Sequence, residues 1–141
     1  MTQHAPQVYE INVRTTPERL WQSLTDPELT QQYYFGTRVE SDWQPGSPVR
    51  YRNQQGGVDL KGEVLEADPP RRLVTTFRPT WAPDMAGGSP STVRWEITPD
   101  GDTCKLTLTH EGLDPASPGA DQILQAWQPT LSALKSALES G

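Results

Sequence analysis

The last part of the chain carries one uninterrupted apolar stripe, which constrains the fold more than any other feature. From about Ser117 to Glu139, apolar residues recur at steps of three and four. They are Leu124, Trp127, Leu131, Leu134 and Leu138. This spacing predicts a long helix with one apolar face. Such a helix needs an apolar surface to pack against, so the rest of the chain must supply one.

Much of the remaining chain alternates between apolar and polar residues, as half-buried β-strands do. A first strand around Ile11 is followed by two helix-start signals, Thr15-Thr16-Pro17-Glu18 and Asp26-Pro27-Glu28. About six strands then follow. We expect several of their apolar residues to face the final helix, namely Val64, Phe77, Trp95, Leu106 and Leu108.

These patterns predict an α+β fold. The long C-terminal helix would lie across an antiparallel sheet of about six to seven strands, with two short helices after the first strand. Pro129 lies inside the predicted final helix. Because proline removes a backbone hydrogen bond, we expect a kink near Gln125, beside Trp127.

Length and charge limit the classes of protein that the chain can belong to. We expect residues 1–141 to form a single domain. The formal net charge of −6, from 18 acidic and 12 basic residues, argues against nucleic-acid binding and against an anionic membrane surface. The single cysteine, Cys104, fits a reducing compartment, and no signal peptide or membrane-spanning segment is evident. The expected location is the cytoplasm.

Four segments resemble the SRPBCC superfamily of START-like, helix-grip proteins, and are most similar to the domain named after the activator of heat-shock-protein-90 ATPase. They are Val13–Trp21 (VRTTPERLW), Gly62–Leu73 (GEVLEADPPRRL), Leu106–Leu113 (LTLTHEGL), and Ala126–Pro129 (AWQP) with Leu131 and Leu134. The resemblance implies a curved sheet gripping the final helix, often with a cavity between them. It also implies ligands such as lipids or polyketides, and it makes a stress-related chaperone partner an alternative.

A set of mostly aromatic residues fits the wall of such a cavity, because aromatic side chains combine apolar area with a few polar groups. An ordinary core remains an equally good interpretation of each residue taken singly. The candidate ligand-binding residues are Trp21, Tyr34, Phe35, Tyr51, Phe77, Trp81, Trp95, Leu108, His110, Leu124, Trp127 and Leu131. Trp81 lies in the long irregular connection between Pro79 and Ser91, where a residue that gates the cavity is plausible.

His110 is the candidate with the most chemistry, since histidine changes charge near neutral pH. It falls on the inward face of the last strand with Cys104, Leu106 and Leu108. It could orient a ligand or move a proton, or it could be a structural residue that is bonded to backbone. Cys104 cannot serve as its partner, because six residues at roughly 3.3 Å each separate them by about 20 Å.

No metal or cofactor is expected. With two histidines and one cysteine, the chain lacks a convincing set of three or four zinc ligands. Asp59, Lys61 and Glu63 alternate with apolar residues and are interpreted as a charged outer face.

Three hypotheses follow from the sequence. The first is the binding of an apolar or aromatic small molecule by a monomer or homodimer. The second is a cyclase or hydrolase in which His110 moves a proton in the same cavity. The third is a chaperone-related interaction module. Fold alone cannot choose among them.

Overall fold

The computed structural model describes residues 6–80, 91–112 and 120–140. This part of the chain contains a curved seven-stranded antiparallel sheet, two short helices and a long C-terminal helix, so the predicted architecture is confirmed. The elements are β1 (Gln7–Val13), α1 (Pro17–Thr25), α2 (Pro27–Tyr33), β2 (Arg38–Glu40), β3 (Pro48–Arg52), β4 (Val58–Asp68), β5 (Arg72–Pro79), β6 (Ser91–Asp100), β7 (Thr103–Glu111) and α3 (Ala120–Ser140).

The sheet has the strand order β1-β7-β6-β5-β4-β3-β2, and every neighbouring pair is antiparallel. Strands β2 to β7 therefore form a meander, and β1 closes the far edge by pairing with β7. Since β1 and β2 are the two edge strands, the short helices α1 and α2 connect opposite edges of the sheet.

The start signals of both short helices act as the sequence predicts. The side-chain oxygen of Thr16 accepts a hydrogen bond from the backbone N–H of Arg19 at 3.2 Å. Asp26 accepts one from the backbone N–H of Glu28 at 2.8 Å. Each bond satisfies a backbone donor that the first turn of a helix leaves unpaired.

Helix α3 buries its apolar stripe in the main core, which contains apolar residues of the strands and of α1 and α2. The stripe begins one residue earlier than the sequence predicts. Ile123 is buried at the start of the stripe, whereas the predicted Leu124 is only half-buried. The rest of the stripe is buried as expected, at Trp127, Leu131, Leu134 and Leu138. Pro129 is inside the helix and exposed, and the kink near Gln125 stays a prediction.

A second, smaller core lies toward the β2 edge of the sheet. Val64 packs there with Val39 and Val49, so the expected contact between Val64 and the final helix is wrong. The reason is the curvature of the sheet. Alternation along a strand predicts which face of the sheet a residue is on, but it does not predict whether that part of the face is turned toward the final helix. Trp43 and Tyr51 contact both cores.

Irregularities in β4 help to produce this curvature. The register of β4 against β5 shifts between Val64 and Glu66, which leaves an additional residue in β4. At Gly62 the neighbouring strand comes so close that a Cβ atom would overlap the backbone carbonyl of Thr76. Bulges and glycines at close approaches are common where strands bend strongly.

Candidate functional site

A cavity of about 280 Å³ lies where the start of α3 meets the end of α2 and strands β3 to β5. Six of its eight described lining residues are aromatic or aliphatic. The lining residues are Tyr34, Phe35, Thr37, Tyr51, Asp59, Leu60, Phe77 and Ile123. This volume falls slightly below the usual range of about 300–1,000 Å³ for ligand pockets. The cavity therefore suits a small, mainly apolar molecule.

Tyr34 is the centre of the aromatic wall. Its ring stacks on Tyr51 with centroids 4.6 Å apart and meets Trp127 edge-on at 6.2 Å. Phe77, on β5, also packs against Trp127, with ring centroids 5.8 Å apart. Burial raises the pKa of the Tyr51 phenol. Burial and then the proximity of Tyr51 raise the pKa of Tyr34, so both phenols are neutral at physiological pH.

The turn after α2 holds Phe35 at the cavity in a strained backbone conformation. Phe35 has φ +54° and Gly36 has φ +68°, and a positive φ is rarely adopted by a bulky side chain. The turn is tied together by Thr37, whose hydroxyl and backbone N–H both donate to the carbonyl of Tyr34, at 2.7 and 2.9 Å. As a result a phenyl ring that is 60% exposed stands on the wall of the cavity.

Asp59 is the acidic residue among the described residues that line the cavity. It is half-buried, and its Oδ1 accepts a hydrogen bond from Asn53 Nδ2 at 2.8 Å. The interpretation of Asp59 as part of the charged outer face is wrong, because the residue lines the cavity. Lys61 and Glu63 are exposed, as the alternation predicts.

His110 is buried in a continuous hydrogen-bonded network. The indole N–H of Trp127 donates to His110 Nδ1 at 3.1 Å, and indole can only donate. Nδ1 must therefore be unprotonated, so the neutral ring carries its proton on Nε2 and donates it to Ser91 Oγ at 2.8 Å. The Ser91 hydroxyl in turn donates to the carbonyl of Phe77 at 3.3 Å.

This network makes His110 a structural residue with side-chain partners. The side chain is 1% exposed, and burial lowers its pKa to about 4. Both ring nitrogens are engaged, and the ring contacts Phe77 at 4.8 Å without itself lining the cavity. A proton-transfer role needs a nitrogen within reach of the substrate, and this geometry does not provide one.

The other predicted residues fall into distinct environments. Tyr34, Phe35, Tyr51 and Phe77 line the cavity. Trp95, Leu108, Trp127 and Leu131 are buried in the main core beside it, and Trp95 packs edge-on against Trp127 at 6.0 Å. Trp21 and Leu124 are half-buried and pack against the core without lining the cavity. Trp81 lies outside the described residues.

Four lining residues were not among the sequence candidates. They are Thr37, Asp59, Leu60 and Ile123. Ile123 had a signal, because it precedes Trp127 by four residues and Leu131 by eight. Leu60 also alternates onto the inward face of β4. Neither Thr37 nor Asp59 carries a sequence signal, since their positions depend on a turn and on a shift in strand register.

Within residues 6–80, 91–112 and 120–140, no group of three or more His, Cys, Asp or Glu side chains is arranged to hold a metal ion. Among the helices of the same ranges, none combines the length and apolar character needed to cross a bilayer.

The fold defines a helix-grip protein, and comparison with known proteins identifies the family. Residues 14–139 match the family model described as activator of Hsp90 ATPase homolog 1-like protein. The chain therefore belongs to this family, and the resemblance seen in the sequence is confirmed. A search of the curated proteins found no match.

Solved structures agree with this assignment. The Aha1 dimer from Colwellia psychrerythraea is 18% identical, with a TM-score of 0.78 over 96% of this chain and 97% of that one. An HSP90 activator from Plasmodium falciparum is 21% identical, with a TM-score of 0.77 over 94% and 95%. DynU16, from the dynemicin biosynthetic locus, is 19% identical, with a TM-score of 0.77 over 96% of this chain and 48% of that chain. These likenesses establish the fold.

Proposed function

We propose that this protein binds an apolar or aromatic small molecule, lipid-like or polyketide-like, in the cavity between α3 and the sheet. The observation that carries the proposal is the aromatic wall of Tyr34, Tyr51 and Phe77 around about 280 Å³ of space. Apolar walls with a few polar groups are typical of ligand sites. The likeness to DynU16 supports the proposal, because that protein comes from a biosynthetic locus.

Phe35 is the second support for a binding role. A strained residue persists only where the surrounding structure holds it, and such residues concentrate at functional sites. Here the strained residue presents an exposed phenyl ring beside an apolar cavity. A ligand would cover that ring and remove its apolar surface from water.

The size of the cavity sets the expected affinity. A ligand that buries roughly 250 Å² of apolar surface gains about 6 kcal/mol at 25 cal/mol per Å². The loss of translational and rotational freedom reduces this gain. A dissociation constant of tens of micromolar or weaker is therefore expected for a simple apolar probe.

The proposal is tested with N-phenyl-1-naphthylamine, a neutral apolar dye whose fluorescence rises in apolar surroundings. Wild-type protein should bind the dye saturably. The variant Ile123→Phe adds volume at the cavity wall and should weaken binding about tenfold. Leu65→Phe is the matched control, because Leu65 is 46% exposed and does not line the cavity. Equal binding by wild type and Ile123→Phe would refute the proposal.

Native mass spectrometry of freshly purified protein complements the dye. It detects a co-purified small molecule directly, and it counts subunits, which decides between monomer and homodimer.

The hypothesis of a cyclase or hydrolase depends on His110. It required His110 to face the cavity, and both ring nitrogens of His110 are instead bonded to Trp127 and Ser91. Binding without chemistry is the function that the lining residues favour.

Interaction with Hsp90 is the second candidate function. It is favoured by the family description and by the likeness to an HSP90 activator from Plasmodium falciparum over nearly the full length of both chains. Measuring Hsp90 ATPase turnover with and without the protein tests it. Stimulation that survives Ile123→Phe would separate this activity from the cavity, whereas no stimulation and no binding to Hsp90 would exclude it.

A further inference from the structure

We infer that the cavity selects ligands that carry a cationic amine at one end of an apolar body, and that Asp59 is the residue that selects them. This inference rests on the proposed binding function and adds the chemical class of the ligand. It follows from the charge, position and preorganisation of one carboxylate.

Asp59 is the one charged residue among the described residues that line the cavity. None of those lining residues is Lys, Arg or His. The phenols of Tyr34 and Tyr51 are kept neutral by their raised pKa values. A ligand carboxylate would therefore meet a like charge without a compensating cation, which is unfavourable in a partly desolvated site. An ammonium group would meet its counter-charge.

A β-bulge explains how Asp59 reaches the cavity. Tyr51 pairs with Leu60, but the next residue of β3, Arg52, pairs with Val58. Asp59 is thus the additional residue of β4 at this point. Regular alternation would put it on the face opposite Leu60, whereas it lines the cavity together with Leu60. Bulges often re-aim a side chain next to a binding site.

The hairpin loop between β3 and β4 holds the carboxylate in place. Asn53 Oδ1 accepts hydrogen bonds from the backbone N–H groups of Gln55 and Gly57, both at 3.0 Å. These bonds orient the amide so that Asn53 Nδ2 donates to Asp59 Oδ1 at 2.8 Å. A carboxylate has about four acceptor positions, so this contact positions Asp59 while leaving it capacity to bind an ammonium group.

The aromatic wall adds a second attraction for a cation. Tyr34, Tyr51 and Phe77 line the same cavity as Asp59, and the face of an aromatic ring attracts a cation that lies within about 6 Å of its centre. The same rings pack against the apolar body of a neutral ligand. A carboxylate combined with aromatic walls therefore favours an amine over an acid of the same shape.

The test compares three probes that share a phenyl ring and a four-carbon chain: 4-phenylbutylamine, 4-phenylbutan-1-ol and 5-phenylvalerate. Isothermal titration calorimetry at pH 7 and low ionic strength gives the dissociation constant of each. We expect the amine to bind roughly tenfold more tightly than the alcohol. Both can donate a hydrogen bond to the carboxylate, but only the ammonium group also brings an opposite charge. The acid should bind more weakly than the alcohol.

Two variants assign the preference to its residue. Asp59→Asn keeps the shape and an oxygen for the Asn53 hydrogen bond, and it should abolish the preference for the amine, so that the amine and the alcohol bind with similar dissociation constants. Glu63→Gln is the control, because it removes one negative charge from the same strand at an exposed position outside the cavity. It should retain the full preference.

The possible failures are distinguishable. If the alcohol binds and the amine binds no more tightly, the inference is refuted while the binding function stands. If the preference survives Asp59→Asn, the assignment to Asp59 is refuted. If none of the three probes binds, the inference is refuted, and the result with the neutral naphthylamine dye decides whether the binding function fails too.

Discussion

At the scale of single residues, His110 shows how a buried network fixes one protonation state. Its two nitrogens have different partners, an indole N–H on one side and a serine hydroxyl on the other. Protonation of Nδ1 would place its N–H opposite the indole N–H of Trp127, so that two donors face each other. It would also put a positive charge in the core. The lowered pKa, about 4, reflects chiefly the burial of the ring.

This pKa makes a prediction about stability and pH. The unfolded state takes up a proton near pH 6.5, whereas folded His110 does so only near pH 4, so stability is lost as pH falls through this window. Carboxylates titrate there too, so the comparison is with His110→Gln. Urea unfolding at pH 7 and pH 4.5 should show the stability advantage of wild type over the variant shrinking by about 2 kcal/mol. A pH-independent advantage would contradict the assigned protonation state.

Phe35 gives a second prediction at this scale. Both Phe35→Ala and Phe35→Gly remove the ring, but only glycine tolerates φ +54° without strain. We expect Phe35→Gly to be more stable than Phe35→Ala by about 1 kcal/mol, as measured by chemical denaturation. Both variants should bind the naphthylamine dye several-fold more weakly than wild type. If alanine and glycine are equally stable, the positive φ carries no strain.

Residue types alone predict part of this site. Tyr34, Tyr51 and Phe77 stand out as aromatic residues near turns or on inward faces, and His110 falls on the inward face by alternation. The positive φ of Phe35 cannot be read from phenylalanine, because the turn around it imposes that conformation. The partners of His110 are equally hidden, since Ser91 and Trp127 meet it only through tertiary packing.

At the scale of elements, the sequence predicts where helices begin more reliably than how strands are aligned. Thr16 and Asp26 are local signals, and the structure uses both as caps. The register of β4 depends instead on two neighbouring strands and contains a shift against each. A shift of one residue reverses which side chains face the core, and alternation alone therefore predicts the wrong environment for Asp59.

The variant Gly62→Ala tests the close approach between β4 and β5. It would force a methyl group onto the backbone carbonyl of Thr76, and backbone cannot move aside as a flexible side chain can. We expect a loss of about 3 kcal/mol or more in urea unfolding. Gly57→Ala is the control in the same hairpin, because its added Cβ would meet only the side chain of Asn53, at 3.3 Å. A loss below about 1 kcal/mol for Gly62→Ala would contradict the close approach.

At the scale of the whole molecule, the cavity lies where helix and sheet separate. Residues of the main core pack between α3 and the strands, and the start of α3 contributes Ile123 to the cavity. The amphipathic stripe predicts that the helix covers the sheet. It does not predict at which residues the contact between helix and sheet ends and a cavity begins. That depends on side chains from β3, β4, β5, α3 and the connection between α2 and β2, and on the bend in β4.

A bound ligand should stabilise the folded chain as a whole. At a free ligand concentration of ten times the dissociation constant, the expected gain is about 1.4 kcal/mol, which corresponds to an increase in melting temperature of roughly 3–6 °C. Differential scanning fluorimetry with 4-phenylbutan-1-ol measures this increase. Ile123→Phe should show a smaller shift at the same ligand concentration, and Leu65→Phe should match wild type. Equal shifts in all three proteins would indicate binding elsewhere.

A methyl NMR titration of the wild-type protein with 4-phenylbutan-1-ol locates the binding site residue by residue. We expect saturable chemical-shift changes, with one dissociation constant, at the methyl groups of Ile123 and Leu60, while those of the exposed Val8 and Leu65 stay unchanged. Unchanged resonances at Ile123 and Leu60 up to the solubility limit of the probe, or changes confined to Val8 and Leu65, would contradict the claim that this cavity is a binding site.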